Sequence, residues 1–122
     1  MRWIVDAMNV VGSRPDGWWK DRRGALNTLI DGLERWARAT GSEVTVVLER
    51  PMSPALQSDM IRVRQAPRAA ANSADDEIVR LVLADEAPTD ITVVTSDGAL
   101  SARVRAAGAA TCPAGRFQEM LD

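Results

Sequence analysis

The chain has 122 residues, 46% of them hydrophobic, which is enough for one compact domain with a buried core. Fifteen basic residues stand against 17 acidic ones for a formal net charge of −2; histidine and tyrosine are absent, and a single lysine, Lys20, accompanies fourteen arginines. Without an imidazole, a Ser-His-Asp triad, a Cys-His pair, a histidine acid/base couple and a His-ligated zinc site are excluded, so any chemistry must rest on carboxylates, hydroxyls, amides, arginines or a bound metal.

The start, MRWIVDAMNV, carries neither the apolar core nor the cleavage site of a signal peptide. No apolar run approaches the ~20 residues of a membrane span, and one cysteine, Cys112, cannot form an intrachain disulfide. A cytoplasmic protein with no membrane association is expected. Short β-branched runs alternate with longer helical stretches, as in a parallel α/β sheet. Residues 2–5 read as the first strand, and Gly12, Ser13, Pro15, Asp16 and Gly17 as turn and loop. Leu26, Leu29, Ile30, Leu33, Trp36 and Ala37 then recur at helical spacing and define one buried face. Gly41 suits the position just past that helix because it adopts positive φ without steric cost, and residues 43–48 (EVTVVL) follow as a strand buried on both sides.

Pro51 and Pro54 hold an irregular loop, after which residues 59–64 (DMIRVR) alternate charged and apolar side chains as an edge strand does. Residues 65–72 read as exposed loop. Ser73 stands three residues before Asp76 in a capping-box arrangement, opening a helix with Ile78, Leu81 and Val82 on its apolar stripe that runs to about Asp85. Residues 90–95 (DITVVT) are the most strand-like segment. Ser96 is expected to cap a helix carrying Leu100, Val104 and Ala107, with Gly108 stopping it before a short last strand at 109–112. The tail, 113–122, has room for one helical turn around Phe117 and Leu121. The expectation is a single α/β domain over 1–122, with a parallel sheet of about five strands and helices on both faces.

In open sheets of this kind, ligands lie outside the carboxyl ends of the strands, near the point where the strand order reverses. Asp6 follows the first strand, Glu49 the second and Asp97 the fourth, while Asp75 and Asp76 open the helix after the third, so all are expected at one edge. Carboxylates crowded together repel, and no lysine is near in sequence to offset them; a divalent cation would. Hard oxygen ligands select Mg²⁺ or Mn²⁺, and such a site suits phosphodiester hydrolysis without histidine. Asn9 is placed to bond a phosphate or hold a ligand carboxylate, and the Thr95 and Ser96 hydroxyls to support the ligands. Plainer roles exist for the same acids. Asp75, Asp76 and Asp97 suit helix N-termini, where each is worth ~0.3–1 kcal/mol, and Glu49 reads equally as a solvated residue paired with Arg50. Asp6, directly after a buried strand, would be costly to desolvate without a partner.

The segment VDAMNV, 5–10, resembles the D-G-x-N opening of NYN domains in the PIN-like nuclease superfamily, and ADDEIV and VTSDGAL are similar to that family's second and third acidic motifs. The motifs stand in family order across nearly the whole chain and most resemble the YacP-like branch. The resemblance implies a Rossmann-like, PIN-like fold and a metal-dependent ribonuclease. It implies Asp6, Asp76, Asp97 and Asn9 as the catalytic set, with Mg²⁺ or Mn²⁺ held by Asp6, Asp76 and Asp97 and assisted by Asp75. Ala7 replaces the usual glycine, and Gly98 stands where a larger polar or basic residue is common; neither change removes a ligand.

Residues 14–23 (RPDGWWKDRR) set Arg14, Lys20, Arg22 and Arg23 around two tryptophans. They suit the phosphates of single-stranded RNA, with Trp18 or Trp19 stacking on an unpaired base. The plainer reading packs one tryptophan under the loop and leaves the cations solvated. Arg62, Arg64 and Arg68 form a second basic run, suited to an RNA path or to blocking edge-to-edge aggregation. The competing function is a catalytically silent RNA-binding or ribosome-associated module, and a homodimer stays open. A receiver-like phosphoacceptor domain would need an acidic pair after strand one and a lysine after strand five. A haloacid-dehalogenase-type phosphatase would need an aspartate where Met8 stands.

Overall fold

A computed structural model of the chain describes residues 2–13, 17–66 and 73–122. Five parallel strands form one sheet in the order β3-β2-β1-β4-β5, with β1 at Arg2–Asp6, β2 at Glu43–Leu48, β3 at Arg62–Gln65, β4 at Ile91–Val94 and β5 at Ala110–Cys112. The order runs outward from β1 in both directions, so the reversal falls between β1 and β4. Among the described residues, no helix is long and apolar enough to cross a membrane.

The strands carry alternate apolar residues to two helical layers. Val5, Val44, Val46, Leu48 and Val94 face one core, with α1 (Ala7–Gly12), α2 (Arg22–Thr40) and α5 (Ala114–Leu121) laid over it. Ile4, Val47, Ile91 and Val93 face the other, covered by α3 (Ser73–Ala84) and α4 (Gly98–Ala106). Leu26, Leu29, Ile30, Leu33 and Ala37 are the buried stripe of α2, while Trp36 is half-buried. Asp21 caps this helix by accepting from the Gly24 N–H at 2.9 Å, and Gly41 ends it at φ 69°.

Several elements differ from the expectation. The stretch after β1 is not all turn: α1 starts directly after Asp6, with Ala7, Val10 and Val11 buried at i, i+3 and i+4. Three apolar positions are too few for periodicity to separate such a helix from a strand end. The edge strand begins at Arg62, and residues 59–61 pair with no strand. Ser73 is the first residue of α3, so the capping position, 72, lies outside the described residues. Asp97, not Ser96, caps α4, its Oδ1 accepting from the Leu100 N–H at 2.9 Å. The tail forms two helical turns because Phe117 is fully buried between Trp3 and Trp36, with ring centroids 5.5 and 5.1 Å away.

Candidate active site

Asp6 ends the central strand and is 6% exposed. A carboxylate at the end of a strand buried on both sides has nowhere to reach solvent except the sheet's carboxyl edge. There it meets side chains delivered by neighbouring strands: Glu49 just past β2, and Thr95 and Asp97 just past β4. The first turn of α3 adds Asp75, and α1 adds Met8 and Asn9. Asp6, Asn9, Glu49, Asp75 and Asp97 together line a hollow of about 270 Å³.

Hydrogen bonds fix the frame of this hollow. The Thr95 hydroxyl, itself buried, donates to Asp6 Oδ2 at 3.2 Å and accepts from the Asp97 N–H at 3.1 Å. Asn9 Oδ1 accepts from the Ser96 N–H at 2.7 Å, which ties α1 to the loop after β4. Ser96 Oγ accepts from the Ala114 N–H at 2.9 Å, which ties that loop to α5.

The electrostatics are those of a place short of positive charge. Burial first, and then the charges of Asp75 and Asp97, push the Asp6 carboxyl up to about 6, against the opposing Thr95 hydroxyl and Asn9 backbone N–H. The Asp75 carboxyl is raised too, by burial and then by Asp97, with Arg103 opposing. No basic side chain lines the hollow among the described residues. Two cations pair with acids around it: Arg22 lies 3.4 Å from Glu49, which lines the hollow, and Arg103 lies 3.1 Å from Asp76 beside it.

The chemistry of this donor set fits a hard divalent cation: carboxylate, amide and hydroxyl oxygens stand around a carboxylate whose ionisation the protein opposes, with Met8 as the one sulfur in the lining among the described residues. Among the described residues, no three Asp, Glu or Cys side chains are drawn into a ready-made ligand group. That openness is compatible with Mg²⁺, which keeps several waters and takes one or two carboxylates beside substrate phosphates.

Asp6, Asn9, Asp75 and Asp97 share the hollow, whereas Asp76 does not line it. Asp76 is exposed and paired with Arg103 of α4. The reason is the rotation of α3, whose buried Ile78 and Val82 lie three and seven residues after Asp75 and so carry that residue toward the sheet. Glu49 pairs with Arg22, not with Arg50. Trp18 is half-buried against the core, Trp19 is exposed, and the two sit in a separate 3-10 turn, Trp18–Lys20, ahead of α2. Lys20 is exposed, and Arg23 donates to the Pro54 carbonyl at 2.8 Å. Arg62 and Arg64 are exposed on the edge strand, and Arg14 and Arg68 lie outside the described residues. Sequence reasoning did not single out Met8 as lining the hollow or Arg103 as the cation over Asp75 and Asp76. Arg103 was beyond its reach, since nothing local sets how α4 packs on α3.

A family model described as the YacP-like NYN domain matches residues 3–122. Among solved structures, Rae1 (YacP) from Bacillus subtilis superposes with a TM-score of 0.77 at 24% identity, over 98% of this chain and 73% of that one. A tryptophan-to-leucine mutant of the same Bacillus subtilis protein gives a TM-score of 0.79 at 22% identity, over 98% of this chain and 74% of that one. No curated protein sequence matches the chain.

Proposed function

Because the chain belongs to the YacP-like NYN domain family, whose fold is of the PIN-like nuclease type, we propose that it is a metal-dependent endoribonuclease acting on single-stranded RNA in the cytoplasm. The observation that carries this reading is the meeting of Asp6, Asp75 and Asp97 in one hollow at the strand reversal, with Asp6 pushed up to about 6 and no basic side chain in the lining among the described residues. Asp6, Asp75 and Asp97 would hold Mg²⁺ or Mn²⁺, and Glu49 stands beside them. When bound, such a cation supplies neutralisation of the phosphodiester charge and an acidified water as nucleophile.

The chain's own groups do the positioning. Thr95 holds Asp6 Oδ2 in place and aligns the backbone that carries Asp97. Asn9 spends its oxygen on the Ser96 N–H, which leaves its amide nitrogen as a donor for a phosphate oxygen. The apolar strands beneath Asp6 keep bulk water off one side of it, so charge on the substrate is felt more strongly there than in solvent.

A catalytically silent RNA-binding module is favoured by one observation, the lack of a ready-made ligand group among the described residues. One assay separates the two. Purified protein incubated with unpaired RNA is expected to cleave only with added Mg²⁺ or Mn²⁺, and Asp97→Asn is expected to abolish cleavage while keeping the α4 cap, which asparagine also forms. Cleavage that survives both chelation and that substitution would sink the metal-dependent reading; RNA binding without cleavage under any divalent cation supports the silent module.

A further inference from the structure

Two neighbouring tryptophans have opposite surroundings. Trp18 packs against the α1–α2 core, and the Arg22 guanidinium lies over its ring at 5.4 Å from the centroid. Trp19 is 59% exposed. The two rings meet edge to face, with centroids 6.1 Å apart and planes at 85°, so Trp18 restrains the orientation of Trp19 without lying flat on it. Gly17, at φ 77°, supplies the left-handed residue that turns the chain into this short segment.

The turn is continuous with the acidic hollow. Arg22 stands over Trp18 and reaches Glu49, which lines the hollow. A small cleft lined by Arg22, Arg50, Met52 and Leu26 shares both Met8 and Glu49 with the hollow. Lys20 and Arg50 make no ion pair among the described residues, and the Arg22–Glu49 pair is 3.4 Å long with both side chains more than two-fifths exposed. A solvated pair of that length contributes little, so a phosphate can replace Glu49 as the partner of Arg22 at small cost. Trp18 meanwhile keeps the guanidinium in place by its ring face.

Building on the ribonuclease reading, we propose that Trp19 is the base-stacking platform of a single-strand track leading into the acidic hollow, with Arg22 holding a backbone phosphate beside it. An indole exposed to this degree contributes little to the fold, yet offers a flat apolar surface to any base whose own face is uncovered. Bases in a duplex have both faces covered by their neighbours and gain nothing from it. The platform therefore selects unpaired segments, and it is tolerant of base identity because every base has a π-face.

The test uses protein carrying Asp97→Asn, so that RNA is not consumed, and measures anisotropy of a labelled unpaired oligoribonucleotide and of a matched duplex. Adding Trp19→Ala is expected to weaken binding of the unpaired strand about five- to a hundredfold, the range set by stacking of a single base. Trp19→Phe should stay within about threefold of the parent because it keeps a ring. Neither should change duplex binding or the thermal midpoint. Unchanged affinity of Trp19→Ala for the unpaired strand overturns the proposal, and does so without touching the nuclease reading if the wild-type protein cleaves RNA. Trp19-dependent strand binding in a protein that cleaves under no divalent cation supports the track and removes the nuclease reading. Absence of any binding to unpaired RNA overturns both.

Discussion

The Thr95 hydroxyl bridges two acidic residues, Asp6 at the end of β1 and Asp97 at the cap of α4, donating to the Asp6 carboxylate and accepting from the Asp97 backbone N–H. Thr95→Val keeps the shape and removes both bonds, leaving the half-buried Asp97 N–H and the buried Asp6 oxygen each short of a partner, a loss of about 1–3 kcal/mol. The hydroxyl also holds the Asp6 carboxyl down, so its removal should move the acidic limb of the pH–rate profile upward and cost cleavage most on the acid side of neutrality. Thr95→Ser should restore both. A valine variant with the parent's pH profile would show that this bond does not tune Asp6.

Asp6 also makes stability depend on pH in a definite direction. Its carboxyl is raised from 3.8 to about 6 by folding, so the folded protein binds the proton more readily than the unfolded chain. The associated stability is fully present below about pH 3.8 and is lost as pH rises through about 6, a change of order 3 kcal/mol by linkage. Asp6→Asn cannot ionise and escapes this loss. In urea denaturation with chelator present, the variant should therefore gain on the wild type between pH 4 and pH 7.5. An offset between the two proteins that stays constant across that range would contradict the assignment. Divalent cation added to the wild type at pH 7.5 should raise its midpoint, and should do so far less in Asp6→Asn.

Adjacent acids on α3 are expected to behave differently. Asp75→Asn removes a carboxylate from the hollow and should lower cleavage at least a hundredfold, a loss of roughly 3 kcal/mol in transition-state stabilisation. Asp76→Asn loosens a surface ion pair with Arg103, worth about 0–1 kcal/mol, and should leave cleavage within a few-fold of wild type. Steady-state rates of the two variants side by side decide the matter, and the reverse ranking would refute the placement.

The tail helix tests the packing. Phe117 is fully buried between two tryptophans, so Phe117→Ala should cost about 3–5 kcal/mol. That corresponds to a fall of ~10–20 °C in the thermal midpoint. A drop of only a few degrees would mean that the cavity collapses or that the tail is dispensable.

The strands and the acids at their ends were legible in the sequence because β-branched runs such as EVTVVL have sharp ends, and the residue after each end can only lie at the sheet's edge. Asp6 and Glu49 follow from that alone, and Asp97 from standing two residues past DITVVT. The choice between Asp75 and Asp76 does not follow from the motif, since consecutive helical residues point about 100° apart and either suits it. The spacing of Asp75 to Ile78 and Val82 decides which of the two faces the hollow, and the stripe read back through the first turn predicts that placement. The placement of Trp18 and Trp19 was out of reach, because which of two neighbouring indoles is buried depends on how the 3-10 turn lies on the core. The cap of α4 was misplaced by one residue for a similar reason. Ser96 and Asp97 are both good caps, and the tertiary bonds from Ser96 to Asn9 and Ala114 commit it elsewhere.

Those two bonds have a bearing on what holds the hollow together. Ser96 is a linchpin: its N–H grips Asn9 near the start of the chain, and its oxygen grips the first turn of α5. Damage to α5 would thus loosen the loop that carries Asp97, although no residue of that helix lines the hollow.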